Sequence, residues 1–276
     1  MTYSPYIFIL DLDGTIIGNC KYQTWYTYIL NLAKFKKIKL IKDEQFKKSY
    51  NYSSKLMRPY FGFFMKTIRK YYPESLIYIY TASTKDWATI EIKTMEKENK
   101  IKFNRPIFAR QDCIIDDKGN FMKSIDSILE KIKKCNKNIT IDKNKVLFVD
   151  DSDIYLDNKD KQIFCPRYNY KQFIDYSLLL KNDMFENEYI NKELNGMVKQ
   201  GLLNPYWNNT NISITDERKY KWLYKNIKKI NIENKEYLND NFWETLAKAL
   251  IYVKNNNKPF KEIRSLINQL TNNILK

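Results

Sequence analysis

Short runs of consecutive apolar residues recur along the first part of the chain, and longer amphipathic stretches separate them. These runs are Ile7–Leu10, Leu76–Tyr80, Val146–Val149 and Ile163–Pro166. A short continuous run of β-branched and aromatic residues is typical of a strand that is buried on both faces, as in parallel sheets. Because helical segments lie between the runs, the pattern predicts an α/β fold with a parallel sheet flanked by helices.

The stretches between these runs carry apolar residues at helical spacing. This periodicity predicts helices over residues 61–72, 85–97 and 125–132. Ser83 or Thr84 is the expected N-terminal cap of the second helix, since a side-chain oxygen there can accept a backbone N–H.

The pattern changes near residue 181. Residues 182–276 contain little that is typical of a strand, and apolar residues share one helix face near 242–253 and again near 263–274. Pro259 separates the two segments. The sequence therefore predicts an α/β domain over residues 1–181 and an α-helical C-terminal appendage over residues 182–276, which either packs on that domain or forms a small domain of its own.

Carboxylates follow directly after two of the predicted strands. The first strand runs into Asp11, Asp13 and Gly14, and the third ends in Asp150 and Asp151. Ligands of open α/β sheets bind beyond the carboxyl ends of the strands, so we expect these acids near one another. Clustered carboxylates repel unless a cation lies between them, which indicates a divalent cation site.

Simpler interpretations of these acids stay open. Asp-x-Asp-Gly also occurs in ordinary turns, and acids at a strand end can cap the following turn. A calcium-binding loop does not fit, because the chain continues with Ile16 and Ile17 where further oxygen ligands are needed.

The chain contains no histidine. This excludes serine–histidine and cysteine–histidine nucleophile systems and every metal site that uses an imidazole. A P-loop motif is also missing from the sequence. Any catalysis must therefore use carboxylates together with Lys, Arg, Thr, Ser or Tyr side chains.

The formal net charge of +16 is unevenly distributed. Residues 21–70 contain thirteen Lys and Arg against two acids, and they overlap a small insertion predicted over residues 18–55. A positive field favours polyanionic partners, which include nucleic acid, acidic proteins and phosphorylated peptides. An A/T-rich coding bias is the alternative explanation for the lysines.

The composition is that of a globular protein, with 276 residues of which 43% are hydrophobic. We predict no membrane association, because no apolar stretch reaches the length of a membrane span. The four cysteines are widely spaced, so we expect a reducing, intracellular compartment, nuclear or cytoplasmic, and not secretion.

Several motifs, in their order along the chain, resemble one branch of the haloacid dehalogenase (HAD) phosphotransferase superfamily. They are Phe8–Thr15, Leu56–Tyr60, Ile77–Ser83, Phe108–Cys113, Gly119–Lys123 and Val146–Ser152. The branch is the FCP/SCP-like phosphatases, or NLI-interacting-factor domain, which act on phosphoserine in the C-terminal domain of RNA polymerase II. The resemblance covers residues 5–170 and implies a HAD-like Rossmannoid fold.

The resemblance implies a role for each matching residue. Asp11 would be the nucleophile and Asp13 the general acid and base, while Thr81 and Arg110 would bind the substrate phosphate and Lys123 would offset negative charge. From spacing alone, the two acids can only be said to reach one site. A solvated Lys at a helix start and a surface Arg are the simpler interpretations of Lys123 and Arg110.

The resemblance also implies Mg²⁺ as the cofactor. The predicted ligands are Asp11, Asp13, Asp150 and Asp151. This branch often has Asp-Asn where the chain has Asp150 and Asp151, so which of the two binds the ion directly stays open.

The sequence therefore predicts a Mg²⁺-dependent protein serine/threonine phosphatase that acts through an aspartyl phosphate. Its expected partner is a phosphorylated protein, such as the C-terminal domain of RNA polymerase II. The modest insertion is consistent with an open site for a macromolecular phosphoester. The alternatives are a phosphatase of nucleic-acid ends or nucleotides, and a non-catalytic scaffold with the same fold.

Overall fold

The computed structural model describes residues 3–25, 28, 35, 56–174, 188–203 and 217–274. Its strands are β1 (Ile7–Leu10), β2 (Leu76–Ile79), β3 (Ile114–Ile115), β4 (Phe121–Met122), β5 (Val146–Asp150) and β6 (Gln162–Phe164). Its helices are α1 (Phe61–Tyr71), α2 (Lys85–Asn99), α3 (Ile125–Cys135), α4 (Glu188–Lys199), α5 (Glu217–Asn234), α6 (Phe242–Asn255) and α7 (Ile263–Ile274).

The central sheet contains four parallel strands in the order β2–β1–β5–β6. Strand β1 pairs with β2 on one side and with β5 on the other, in a register that places Leu10 beside Ile79 and Val149. All four residues of β1 are buried, as expected for an inner strand of a covered sheet. The predicted α/β class, with a parallel sheet between helices, is confirmed.

Successive residues of β1 face opposite helical layers, because side chains alternate along a strand. Ile7 and Ile9 belong to a core cluster with the apolar face of α3. The ring of Phe8 lies on the other side, 6.4 Å from the ring of Phe64 in α1 and 5.7 Å from that of Phe260. The amphipathic patterns of α1 and α3 thus cover the two faces of one sheet.

The chain divides into two compact units, which do not coincide with the predicted boundary at residue 181. The first unit comprises Met1–Gly18, Met57–Asn169 and Leu238–Lys276. Helix α6 belongs to this unit because its apolar side chains pack against α1. The periodicity of a helix indicates that it buries one face, but it does not indicate which partner covers that face.

The second unit comprises Asn19–Leu56 and Tyr170–Tyr237. In its described part, the ring of Tyr22 contacts that of Phe173 edge-on, with centroids 5.4 Å apart. The ammonium of Lys171 lies 2.7 Å from a carboxylate oxygen of Glu233 in α5.

Much of the basic stretch 21–70 lies outside the described residues, namely 26–27, 29–34 and 36–55. The same holds for most of the predicted insertion 18–55, so the partner surface proposed there stays a prediction. Within the described ranges, the helices do not combine the length and the apolarity that a membrane span requires.

Candidate active site

Two carboxylates lie side by side at the carboxyl edge of the sheet. Asp11 follows β1 directly, and Asp150 is the last residue of the neighbouring strand β5. The backbone N–H of Asp11 donates to the carbonyl of Val149 at 2.9 Å, which extends the pairing of the two strands by one step. Parallel pairing therefore delivers both acids to the same place, as the strand pattern predicts.

The ammonium of Lys123 lies between these carboxylates. Its Nζ donates to Oδ1 of Asp11 and to Oδ2 of Asp150, both at 2.7 Å. Lys123 lies between β4 and α3 and is fully buried. Burial by itself lowers the pKa of Lys123, but the two carboxylates raise it above its ordinary value. The side chain therefore stays a charged ammonium.

Asp11, Asp150 and Asp151 form a cluster that can hold a metal ion. One carboxylate oxygen from each lies within 4.8 Å of the others. Burial raises the pKa of Asp11 to about 8, with Asp150 adding to the shift and Lys123 opposing it. Burial also raises the pKa of Asp151, and again Asp150 adds to it. Hard carboxylate oxygens crowded in this way fit a divalent cation such as Mg²⁺.

Glycine is required next to this cluster. Gly14 has φ +83°, and a Cβ at this position would lie 2.8 Å from Oδ2 of Asp151. Thr15 also contacts this aspartate: its hydroxyl donates to Oδ1 of Asp151 at 3.3 Å and accepts the backbone N–H of Asp151 at 3.1 Å. The turn after β1 therefore fits closely around Asp151.

Asp13 was also predicted as a metal ligand, but its side chain lies outside the cluster of Asp11, Asp150 and Asp151. Its Oδ2 accepts hydrogen bonds from the hydroxyls of Ser83 at 2.6 Å and Thr81 at 3.4 Å. Its Oδ1 accepts one from the indole N–H of Trp87 at 3.4 Å. The structure thus brings Asp13 together with Thr81, and it directs the carboxylate toward α2 and not toward Asp150.

The interpretation of Ser83 as a helix cap was wrong. Thr84 occupies the N-cap position of α2, and its side chain makes no capping hydrogen bond. The hydroxyl of Ser83 is directed toward Asp13 instead. Sequence reasoning therefore missed Ser83 as a site residue, because its position before a helix offered an ordinary local explanation.

Arg110 lies at the exposed border of the site. Its Nε donates to the carbonyl of Ala82 at 2.8 Å, and its guanidinium lies over the ring of Phe121 at 4.9 Å. Together with Thr84 and Lys85 it lines a cleft of about 330 Å³. The side chain is thus held in place by Ala82 and Phe121 while part of it stays accessible to solvent.

Tyr155 also contacts the cluster, and nothing in the sequence pattern singled it out. Its hydroxyl donates to Oδ2 of Asp150 at 3.0 Å, and the side chain is fully buried. Burial raises its pKa well above the ordinary value, and Asp150 adds to this shift. The phenol therefore stays protonated and acts as a hydrogen-bond donor.

Comparison with known proteins gives one family match. A family model described as NLI interacting factor-like phosphatase matches residues 6–193, which include every predicted site residue. No curated protein sequence matches the chain significantly.

Two solved structures are similar to this chain at low identity. One is fission yeast RNA polymerase II CTD phosphatase Fcp1, an arginine-to-alanine variant bound to beryllium fluoride, at 17% identity and a TM-score of 0.44. The other is Fcp1, described as an essential RNA polymerase II CTD phosphatase, at 18% identity and a TM-score of 0.38. The similarity covers 91% and 94% of this chain but only 62% and 69% of those chains.

Proposed function

Since the chain belongs to the family of NLI interacting factor-like phosphatases, we propose that it hydrolyses phosphoserine or phosphothreonine in a protein substrate. The observation that carries this proposal is the buried ammonium of Lys123, 2.7 Å from both Asp11 and Asp150. A charge-paired carboxylate at the carboxyl edge of a parallel sheet is suited to attack on a phosphoryl group.

The proposed reaction has two steps. First, an oxygen of Asp11 attacks phosphorus, the bond from phosphorus to the substrate oxygen breaks, and Asp13 gives its proton to that oxygen. Second, water attacks the phosphorus of the aspartyl phosphate, and Asp13 takes a proton from the water. The bond from phosphorus to the Asp11 oxygen breaks, so inorganic phosphate leaves and the carboxylate of Asp11 is restored.

The remaining residues position the phosphoryl group and offset its charge. We assign the hydroxyl of Thr81 to a phosphoryl oxygen, because it lies beside Asp13. Arg110 is suited to contact the substrate phosphate from the exposed side, since a guanidinium can donate two parallel hydrogen bonds. A divalent cation, proposed to be Mg²⁺ held by Asp11, Asp150 and Asp151, would supply positive charge against the equatorial oxygens.

The proposed substrate is a phosphorylated protein segment that is chemically similar to the C-terminal domain of RNA polymerase II. The open cleft beside Arg110 supports an extended substrate. The basic stretch 21–70 motivates a second candidate, a phosphate at a nucleic-acid end. We also propose an intracellular location, which the free thiols of all four cysteines support.

Phosphate release with Mg²⁺ tests the proposal, using wild-type protein and the variant Asp11→Asn. Asp11→Asn removes the nucleophile, so turnover of a phosphoserine peptide should fall by at least about 1,000-fold while the protein stays folded. Asp117→Asn, at an exposed aspartate of the β3–β4 turn, is the matched control and should keep wild-type activity.

The substrate panel separates the alternatives. Faster turnover of 3′- or 5′-phosphorylated oligonucleotides than of phosphopeptides would support the nucleic-acid candidate. Wild-type protein that hydrolyses no phosphomonoester would support the scaffold hypothesis instead. Undiminished turnover in Asp11→Asn would contradict the assigned nucleophile.

A further inference from the structure

Helix α6 lies beyond the residues that the family model matches, yet it contacts the turn that carries the catalytic acids. Trp243, in the first turn of α6, is fully buried. Its ring lies 4.9 Å from that of Phe61 and 4.5 Å from that of Phe64, measured between centroids. Its indole N–H donates to the carbonyl of Thr15 at 3.3 Å.

A second set of contacts joins the start of α6 to Ile16, the next residue of the same turn. The guanidinium of Arg58 makes two hydrogen bonds to Asp240, at 2.8 and 2.7 Å, and lies over the ring of Phe242 at 4.8 Å. The backbone N–H of Arg58 donates to the carbonyl of Ile16 at 2.8 Å. The carbonyls of Thr15 and Ile16 are therefore hydrogen-bonded to α6 or to Arg58, which itself contacts the start of α6.

Thr15 connects these contacts to the carboxylate cluster that can hold a metal ion. Its carbonyl accepts the indole N–H of Trp243, while its hydroxyl is paired with both the side chain and the backbone of Asp151. A shift of the Thr15 backbone would therefore move the group that orients Asp151. Partners that orient a metal ligand affect metal affinity although they do not touch the ion.

We propose that α6 positions the active site, with Trp243 as a positioning residue that fixes Thr15 and thereby Asp151. This inference rests on the proposed function, and it goes beyond the family because α6 lies outside the matched residues 6–193. The phosphatase unit then requires a C-terminal segment that the sequence motifs do not include.

The test compares two single substitutions that each remove one buried hydrogen bond to α6. Trp243→Phe removes the bond to Thr15. Tyr72→Phe removes the bond from the Tyr72 hydroxyl to the carbonyl of Leu250, 2.9 Å long and seven residues further along α6. Both variants lose one buried hydrogen bond, and Trp243→Phe also leaves a cavity, so Tyr72→Phe controls for loss of the bond.

The readouts are Mg²⁺ binding by calorimetry without substrate, and kcat and KM on a phosphomonoester. Trp243→Phe should weaken Mg²⁺ binding by about 10-fold and lower kcat by about 10-fold, with KM nearly unchanged. Tyr72→Phe should match wild-type protein in all three quantities. Equal effects of the two variants would overturn the proposal.

A second variant removes the influence of ring size. Site-specific incorporation of 3-benzothienylalanine at position 243 keeps the bicyclic shape of Trp243 and replaces the N–H by sulfur. It should reproduce the weaker Mg²⁺ binding of Trp243→Phe, and wild-type binding in this variant would overturn the proposal. Calorimetry needs no turnover. An inactive wild-type protein would refute the proposed function, and the Mg²⁺ affinities of the wild-type protein and the variants would still test this inference.

Discussion

Asp11 and Asp13 are separated by one residue, yet their carboxylates lie in different surroundings. The carboxylate of Asp11 is buried against the full positive charge of Lys123. The carboxylate of Asp13 is only partly buried and accepts hydrogen bonds from neutral groups, the hydroxyls of Ser83 and Thr81 and the indole of Trp87. One acid is compensated by charge and the other by uncharged donors.

This difference teaches how neighbouring acids can take separate roles. A buried nucleophile must be anionic. Burial disfavours the anion of Asp11, and the cation beside it opposes that effect. A group that gives and takes protons is served better by donors that stay neutral in both of its states. The surroundings of Asp11 suit the first role, and those of Asp13 suit the second.

Removal of Lys123 should have the largest effect on this contrast. Lys123→Met leaves Asp11 and Asp150 buried without their cation, so the free energy of unfolding should fall by about 3–5 kcal/mol and phosphatase activity should be lost. Urea unfolding followed by circular dichroism, in buffer containing a chelator, measures the change. Lys118→Met, at an exposed lysine of the β3–β4 turn, is the control. Equal stability of the two variants would contradict a charge-compensated site.

Substitution of Asp13 should separate catalysis from metal binding. Asp13→Asn should lower kcat by about 100- to 1,000-fold, because the proton donor is lost, while Mg²⁺ affinity should change little. Asp11→Asn should instead weaken Mg²⁺ binding, since Asp11 belongs to the carboxylate cluster. Calorimetric titration of both variants measures this. Comparable Mg²⁺ affinities in the two would show that the contrast between the acids has no functional meaning.

Substitution of Ser83 should have the smallest effect. Ser83→Ala removes the shortest hydrogen bond to Asp13, so kcat should fall by about 10-fold, with a stability loss of about 1 kcal/mol. Ser265→Ala, at an exposed serine of α7, is the control. Initial rates on a phosphoserine peptide are the measurement, and equal rates in the two variants would remove Ser83 from the site.

The sequence predicts well where the acids at the ends of neighbouring strands lie. It predicts poorly the direction of side chains in turns. Asp11 and Asp150 follow apolar runs, and parallel strands necessarily bring such ends together. The direction of Asp13 depends on the turn at Gly14, where φ is +83°, and alternation along a strand no longer applies there. Apolar spacing likewise predicts α6 as a helix, but not that Trp243 would lie against Thr15.

The first unit is assembled from segments that lie far apart in the chain, and this has a consequence during synthesis. Phe61 and Phe64 leave the ribosome about 180 residues before Trp243, the ring that covers them. At roughly 5–20 residues per second, the part of these rings that Trp243 covers stays exposed for roughly 10–40 s. A chaperone that binds exposed aromatic helices would find its target on this nascent chain during that interval.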